Sequence, residues 1–209
     1  AWGGDLPAIY GHEASGVVSK VGPGVVDVKS GDHVIVTLIR SCGKCHYCTQ
    51  GDRVRCETVF PLDETSPLLD SNGHPIVQGL RTGAFAESVV VDSSQIALVP
   101  KEIPLDIVSV LSCGVITGFG AVVNTAKIKS GSSVVVVGTG GVGLNSVQGA
   151  AIAGAERIIA VDISNEKLDS ALKFGATHII NAKDENSKKS VRNLTGGRGA
   201  DYVFVTVGS

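Results

Sequence analysis

The sequence lacks a block of like charge and lacks an apolar run long enough to cross a membrane. Its 209 residues carry a formal net charge of −2 at pH 7, and acidic and basic residues are interspersed along the chain. This pattern offers no basic surface for nucleic acid or for an anionic membrane. A spanning helix needs about 18 consecutive apolar residues, and no stretch approaches that length. We therefore expect a soluble, globular protein with a small-molecule ligand and with neither a nucleic-acid nor a membrane partner.

A secretory leader is also missing from the residues that begin the sequence. Residues 1–10 do not show the charged segment followed by an apolar segment that such a leader requires. A disulfide framework is not indicated either, because four of the five cysteines crowd into residues 42–56 and their total is odd. These features predict a cytoplasmic protein.

The crowded cysteines form the pattern C-x2-C-x2-C-x7-C, whose short loops allow four thiolates to converge on one tetrahedral ion. This ligand set favours zinc, and a site closed by four protein ligands leaves no position for a substrate. We predict a structural zinc in a lobe spanning residues 40–58. Its ligands would be Cys42, Cys45, Cys48 and Cys56. Two alternatives stay open, namely reduced thiols without a metal and His46 in place of one thiolate.

Short apolar runs punctuated by glycine and proline fill residues 16–99, which is typical of a β-rich, barrel-like domain. The runs are 16–21, 33–39, 85–91 and 96–99. Residues 58–80 form a long connection, either an ordinary surface excursion or a segment that shapes access to a site. After Pro104 the apolar spacing becomes helical, with Ile107, Val110 and Leu111 on one side.

From Ser133 onward, strands alternate with helical segments as in βαβ units. The pattern predicts four parallel strands and three helices. The strands are 134–137, 157–161, 179–180 and 202–207, and the helices are 144–153, the segment from Ser164 to Gly175, and 184–194. Ser164 is predicted to cap its helix and Gly175 to end it in a left-handed conformation. A doubly wound sheet would leave the fourth strand at an edge.

A glycine-rich turn follows the first of these strands. Residues 138–143 read Gly-Thr-Gly-Gly-Val-Gly and match G-x-G-x-x-G between a strand and a helix. Gly138 would make the tight turn, Gly140 would let the backbone approach a pyrophosphate, and Gly143 would allow close helix–strand packing. Asp162, 19 positions after Gly143, can accept from both ribose hydroxyls and would repel a 2′-phosphate. The pattern predicts an NAD site; the alternatives are a merely flexible turn and a helix-capping aspartate.

Residues 11–16 read Gly-His-Glu-Ala-Ser-Gly, and alone they show only a histidine and a carboxylate before a strand. Further along come the four-cysteine loop, the segment Ser-Cys-Gly-Val-Ile-Thr-Gly at 112–118, and the glycine-rich turn with its aspartate. In this order, along essentially the whole chain, these motifs closely resemble the zinc-containing medium-chain alcohol dehydrogenases. The resemblance implies a GroES-like β-barrel catalytic domain over residues 1–118 and a Rossmann domain, a doubly wound parallel α/β sheet, over residues 119–209.

The resemblance also implies roles for single residues. His12 and Cys113 look like two of three protein ligands of a catalytic zinc, with Glu13 as the neighbouring carboxylate. Thr117 resembles a residue beside the nicotinamide. Leu38 resembles a residue of the substrate pocket wall, although it is equally well read as an ordinary core leucine. The implied NAD-binding residues are Thr117, Gly138, Gly140, Gly141, Val142, Gly143, Asp162 and Lys167.

The family's remaining catalytic zinc ligand is a cysteine well upstream of the histidine, accompanied by a serine or threonine that relays the alcohol proton. Neither residue lies among the eleven that precede His12. The family's sheet also continues beyond the last strand present. The resemblance therefore implies a chain cut short at both ends. It also implies a homo-oligomer, because the family forms dimers and tetramers.

The implied activity is zinc-dependent hydride transfer between NAD and an alcohol, or the corresponding aldehyde, ketone or thiol-hydroxymethyl adduct. Two other classes remain. The chain alone could be a zinc- and nucleotide-binding module without chemistry, or a non-catalytic structural or regulatory member of the fold. The joint presence of His12, Glu13 and Cys113 argues against the last of these.

Overall fold

The computed structural model describes residues 6–184 and 186–208. The chain forms two compact units, Ala1–Cys113 and Gly114–Ser209. The boundary expected between residues 118 and 119 therefore differs by five positions (118 against 113) from the division between the units.

Short strands build the first unit as two three-stranded sheets, in the orders β1-β5-β4 and β2-β3-β6. The strands are β1 (Ala8–Ile9), β2 (Ala14–Val17), β3 (His33–Val36), β4 (Leu68–Leu69), β5 (Pro75–Gln78) and β6 (Ile96–Leu98). In the second sheet the pairing is antiparallel, and Ala14 lies opposite Val36. Val34 and Val36 alternate with half-buried residues and are each 5% exposed, as expected for a strand with one face toward a core.

Helices in the described part of the first unit are single turns. They are α1 (His46–Thr49), α2 (Pro61–Glu64) and α3 (Leu105–Val108), with 3-10 turns at Arg53–Arg55, Gly79–Arg81, Ser93–Gln95 and Ser109–Ser112. The helical spacing predicted after Pro104 corresponds to α3 and the 3-10 turn that follows it directly.

Residues 85–91 form irregular structure, so the strand predicted from their apolar run is wrong. The Phe85 N–H donates to the Tyr10 carbonyl at 2.8 Å, and the Ala84 N–H donates to the Gly11 carbonyl at 3.0 Å. At the other end, the Val90 carbonyl accepts from a side-chain amide at 2.7 Å. The Phe85 amide and the Val90 carbonyl thus bond partners other than a strand ladder.

The second unit contains one four-stranded parallel sheet in the order β10-β7-β8-β9. Its strands are β7 (Ser133–Val137), β8 (Arg157–Asp162), β9 (His178–Asn181) and β10 (Tyr202–Val205). Numbered within the unit, this order is 4-1-2-3, which confirms the doubly wound arrangement with the fourth strand at an edge. On β10, Val203 and Val205 are 58% and 67% exposed, whereas Tyr202 and Phe204 pack against the core.

Helices cover both faces of this sheet. They are α4 (Gly114–Gly120), which continues as a π-helical turn at Ala121–Ala126, α5 (Gly141–Ile152), α6 (Asn165–Lys173) and α7 (Ser187–Leu194). Val134 and Val136 face one core cluster and Val135 faces another, which is why β7 is a continuous apolar run. In the described ranges, no single helix has the length and apolar composition needed to cross a membrane; Leu105–Ser112 and Gly114–Ala126 reach both only when combined.

Of the two signals predicted for the ends of α6, one is confirmed and one is wrong. Gly175 ends α6 with a φ of 108°, as predicted. Ser164 occupies the N-cap position of α6, but within the described residues its side chain makes no capping hydrogen bond. Its N–H donates instead to Asp162 Oδ1 at 3.0 Å. The Asp162 carboxylate thus holds the backbone of the N-cap residue, and the capping hydrogen bond predicted for the Ser164 side chain is wrong.

Candidate functional site

Four cysteine sulfur atoms in the first unit converge on one point. The Sγ atoms of Cys42, Cys45, Cys48 and Cys56 all lie within 4.8 Å of one another. The Cys45 and Cys56 sulfur atoms are 3.9 Å apart, and two thiolates on a tetrahedral zinc with bonds of about 2.3 Å stand roughly 3.8 Å apart. The donor set and its spacing therefore fit a zinc ion.

Backbone N–H groups point at two of these sulfur atoms. The Cys45 and Lys44 amides donate to Cys42 Sγ at 3.3 and 3.5 Å, and the Cys42 amide donates to Cys56 Sγ at 3.4 Å. Gly43, with a φ of 73°, makes the turn that aims these amides inward. Hydrogen bonds of this kind favour the thiolate over the thiol.

The four thiols differ in their acidity. The hydrogen bond with the Thr58 side chain, together with the Lys44 amide, lowers the pKa of Cys42 to about 6. Burial raises the pKa of Cys48 to about 12, and its hydrogen bond with Cys45 acts in the same direction. Cys48 is the most enclosed of the four, at 7% exposure. His46, the other ligand considered from the sequence, is exposed, and its ring packs edge-on against Tyr47 with the centroids 5.3 Å apart.

A histidine and a cysteine come together from opposite ends of the first unit. His12 Nε2 lies 3.2 Å from Cys113 Sγ, although the two residues are 101 positions apart. The contact is supported by the Ala14 N–H, which donates to Ser112 Oγ at 3.1 Å. An imidazole nitrogen and a thiolate on one zinc would be roughly 3.5 Å apart, given bonds of about 2.0–2.1 and 2.3 Å. The pair therefore fits two ligands of one ion.

The neighbouring residues singled out from the sequence lie in different parts of the chain. Glu13 is exposed and immediately precedes β2. Leu38 is half-buried and follows β3 by two positions. Thr117 belongs to the second unit, where it is an exposed residue of α4.

The glycine-rich turn joins β7 to α5, and its glycines meet different neighbours. Gly138 has a φ of 89°, and a Cβ there would lie 2.3 Å from Val207 Cγ1. A Cβ on Gly143 would lie 1.9 Å from the Gly138 carbonyl oxygen. A Cβ on Gly140 or Gly141 would meet nothing within 4 Å. Packing within the chain explains the first two glycines, whereas the open surface above the other two fits the close approach of a pyrophosphate to a helix N-terminus.

Asp162 lies at the carboxyl end of β8, 9% exposed, with both carboxylate oxygens engaged. Oδ2 accepts from the Thr139 N–H and hydroxyl, and Oδ1 accepts from the Ile163 and Ser164 N–H groups. Burial alone would raise the pKa of Asp162, but the amides of Thr139, Ser164 and Ile163 outweigh it and lower the pKa. The side chain is an anion anchored to the turn, more enclosed than the sequence suggested.

Two other predicted NAD-binding residues lie on the helices that follow β7 and β8. Val142 is half-buried near the start of α5, and Lys167 is exposed on α6. The structure thus brings Asp162 and the glycines together at one end of the sheet, where the family's dinucleotide would be expected.

A polar network beside the four-cysteine lobe was not predicted from the sequence. It consists of Arg40, Asp63, Gln78, Arg81 and Gln95. The one local signal is a lone arginine after an apolar strand. Its partners come from segments up to 55 positions away, which no local pattern could have identified.

Two family models match the chain. A model described as alcohol dehydrogenase GroES-like domain matches residues 1–101, and one described as zinc-binding dehydrogenase matches residues 141–209.

Curated and solved proteins are similar along nearly the whole chain. A class-P alcohol dehydrogenase of Arabidopsis thaliana is 40% identical over 98% of this chain and 56% of its own length. An S-(hydroxymethyl)glutathione dehydrogenase of Saccharomyces cerevisiae is 40% identical over 99% of this chain and 56% of its own length. The crystal structure of an alcohol dehydrogenase zinc-binding domain protein from Burkholderia ambifaria superposes with a TM-score of 0.89 and 40% identity, over 98% of this chain and 57% of that one. The chain thus spans somewhat more than half the length of these relatives.

Proposed function

We propose that this chain supplies two catalytic-zinc ligands and part of the NAD-binding domain of an enzyme that transfers hydride between an alcohol and NAD. The chain belongs to the zinc-containing medium-chain alcohol dehydrogenases. The observation that carries the proposal is the 3.2 Å approach of His12 Nε2 to Cys113 Sγ. This contact joins a histidine and a cysteine 101 positions apart, and the separation of the two atoms is close to the roughly 3.5 Å of two ligands on one zinc ion.

His12 and Cys113 would hold a catalytic zinc, with Glu13 as the nearby carboxylate. Zinc in such a site supplies Lewis-acid chemistry that acidifies an alcohol or polarises a carbonyl. His12 and Cys113 fix the position of that chemistry, because the β2 backbone is tied to Ser112, the residue before Cys113. The four cysteines of the lobe would hold a structural zinc.

NAD would lie across the glycine-rich turn and accept the hydride. Gly140 and Gly141 leave the backbone open to the pyrophosphate, and the N-terminus of α5 provides amide donors. Asp162 would accept from the ribose, sharing Oδ2 with the Thr139 hydroxyl, and Lys167 would reach the same ribose. The negative charge of Asp162 favours NAD over NADP, because it would repel the 2′-phosphate of NADP. Val142 would pack on the cofactor and Thr117 would lie beside the nicotinamide.

The proposed substrates are small alcohols and the corresponding aldehydes or ketones. A thiol-hydroxymethyl adduct is included because one relative carries the name S-(hydroxymethyl)glutathione dehydrogenase. Leu38 would form part of the pocket wall. We also propose a cytoplasmic location and a homodimer or homotetramer, both supported by family membership.

The test replaces one ligand of each metal site in the complete protein. Cys113→Ser should abolish alcohol-dependent reduction of NAD and remove the zinc of the His12 site, while the zinc of the lobe stays. Cys45→Ser is the comparison variant, because it removes a ligand of the lobe zinc and leaves both ligands of the His12 site in place. Metal content is measured by mass spectrometry and NADH formation by absorbance. Retention of both zinc and activity by Cys113→Ser would contradict the proposal.

A second candidate applies to the 209 residues in isolation. Because they contain two ligands for the catalytic zinc and a cluster of four for the other, this chain alone would act as a zinc- and nucleotide-binding module. Zinc at the lobe, weak NAD binding and no NADH formation would support that description.

A further inference from the structure

The Arg40 guanidinium is completely enclosed, with a side-chain exposure of 0%. Its Nε donates to Gln95 Oε1 at 2.7 Å, and its Nη1 donates to Asp63 Oδ1 at 2.8 Å. Its Nη2 donates to Gln78 Oε1 at 3.2 Å and to the Arg81 carbonyl at 3.1 Å. Arginine is rarely buried unless it is paired, and here the fork of donors is matched by acceptors on four residues from three segments of the chain. We call these five residues the Arg40 network.

The Arg40 network closes the base of the four-cysteine lobe. Arg40 precedes Cys42 by two positions, and Asp63 follows Cys56 by seven. The ion pair between Arg40 and Asp63 therefore joins the chain entering the lobe to the chain leaving it. A further bond, from the Ser41 N–H to Ser94 Oγ at 3.0 Å, holds the segment that enters the lobe.

The same network holds a strained turn. Leu80 and Arg81 have φ values of 52° and 60°, in the left-handed region that residues other than glycine rarely adopt. The carbonyl of Arg81 accepts from Arg40 Nη2 and from Gln95 Nε2, each at 3.1 Å. The Arg81 side chain also pairs with Asp63 at 3.1 Å. A conformation of this kind persists only where the surrounding contacts impose it.

The strained turn leads directly to the backbone beside His12. Gly79 packs so closely that a Cβ there would lie 2.7 Å from the Ile9 carbonyl oxygen. The Ala84 amide then bonds the Gly11 carbonyl and the Phe85 amide bonds the Tyr10 carbonyl. Residues 79–85 therefore brace the segment that ends at His12.

We propose that Arg40 is a positioning residue that couples the four-cysteine lobe to His12. It ties the base of the lobe to the left-handed turn at residues 80–81. Through residues 79–85, that turn is in contact with the backbone before His12. Order in the lobe would then be transmitted to the His12–Cys113 pair. This inference rests on the proposed function only for the role of His12 as a ligand.

The first test uses hydrogen exchange in the complete, zinc-loaded protein. We compare the parent with Cys45→Ser, which opens the lobe, and with Arg40→Lys, which keeps the charge but loses the fork of donors. Both variants should speed exchange of the Ala84 and Phe85 amides by about tenfold or more, because loss of buried contacts makes local opening easier. The amides of β3 should exchange as in the parent. Arg53→Lys, at an exposed position of the same lobe, is the matched control and should change neither set.

The second readout is the retention of zinc by the His12 site against a chelator. Partners that orient a ligand typically change metal affinity by about 10–100-fold, so Arg40→Lys should release this zinc about tenfold faster. Unchanged exchange at Ala84 and Phe85 in Arg40→Lys would overturn the inference. A response in Arg40→Lys without one in Cys45→Ser would overturn the coupling to the lobe. If Arg40→Lys does not fold, the test rests on Cys45→Ser. Unchanged exchange of the Ala84 and Phe85 amides in that variant would also overturn the inference. Neither readout needs NAD or alcohol. Failure of this inference is therefore distinguishable from failure of the proposed function, which would appear as a lack of alcohol-dependent activity.

Discussion

Thr139 donates two hydrogen bonds to a single oxygen of Asp162, its N–H at 2.8 Å and its hydroxyl at 3.1 Å from Oδ2. Thr139 is 1% exposed, so water cannot easily replace either bond. The glycine-rich turn is thereby fastened to the end of β8 before any cofactor binds. The ribose of NAD would meet a carboxylate that is already oriented.

Thr139→Val should destabilise the second unit by about 1 kcal/mol, because it removes the hydroxyl donor and leaves the backbone bond in place. The measurement is urea unfolding followed by circular dichroism. Thr49→Val is the control, since its hydroxyl bonds a carbonyl at an exposed position of α1. A similar decrease in the free energy of unfolding in both variants would mean that the hydroxyl bond to Asp162 stabilises the fold no more than an exposed one does.

Asp162→Asn should lower the free energy of unfolding by about 1–3 kcal/mol at neutral pH, since a carboxylate with four donors becomes a neutral amide. The lowered pKa of Asp162 in the folded chain fixes the pH dependence. Its contribution is fully present above the unfolded pKa of about 3.9 and is lost as the pH falls through the folded pKa. The difference between parent and variant, measured by urea unfolding at several pH values, should be constant above about pH 5 and shrink in acid. A difference that grows toward acid would contradict this.

Gly140→Ala and Gly143→Ala form a matched pair that separates cofactor binding from folding. Gly140 has a φ of −74° and open space around its Cβ position, so alanine there should leave stability within about 1 kcal/mol of the parent. It should nevertheless weaken NAD binding, because the methyl group would occupy the path of the pyrophosphate. Gly143→Ala should cost about 1–3 kcal/mol or more, because its Cβ would meet the Gly138 carbonyl oxygen.

For each variant of this pair, calorimetric titration with NAD gives the affinity for the cofactor, and urea unfolding gives the free energy of unfolding. If Gly140→Ala bound NAD as tightly as the parent, the cofactor would not lie across this turn.

Removal of zinc from the four-cysteine lobe should increase tryptic cleavage after Lys44, Arg53 and Arg55 several-fold. Between Cys42 and Cys56 the lobe contains only single helical turns and one buried side chain, Cys48, so its order depends on the metal. Peptide mapping with and without a chelator provides the measurement. Cleavage after Lys188 and Lys189, on α7 of the second unit, serves as the control. Equal resistance of the lobe to trypsin with and without the chelator would show that apolar and hydrogen-bonding contacts are enough to keep the lobe ordered.

Features encoded within a few residues could be predicted from the sequence. The spacing of the four cysteines implied their convergence, and the glycine pattern between a β-branched run and a helix implied the turn at 138–143. The order of the parallel strands followed from the same βαβ reading. Each of these depends on local geometry that neighbouring residues impose.

Features that depend on long-range partners could not be predicted. Arg40 resembles an ordinary charged residue until Gln95 and Asp63 are brought beside it. The apolar run 85–91 reads as a strand because nothing local reveals that the Phe85 amide bonds Tyr10. At Asp162, the local sequence suggested a ribose acceptor, and only the folded turn shows that Thr139 competes for the same oxygen.

The separation of the proposed metal ligands along the chain also sets the order in which the two proposed sites can form as the protein is synthesised. Cys42 and Cys56 are 14 positions apart, so the lobe is complete as soon as Cys56 has left the ribosome. His12 and Cys113 are 101 positions apart, and their contact requires that the entire first unit has been translated. A nascent chain can therefore capture metal in the lobe while the His12 site does not yet exist, and the Arg40 side chain, emerging before either Asp63 or Gln95, acquires its partners between these two events.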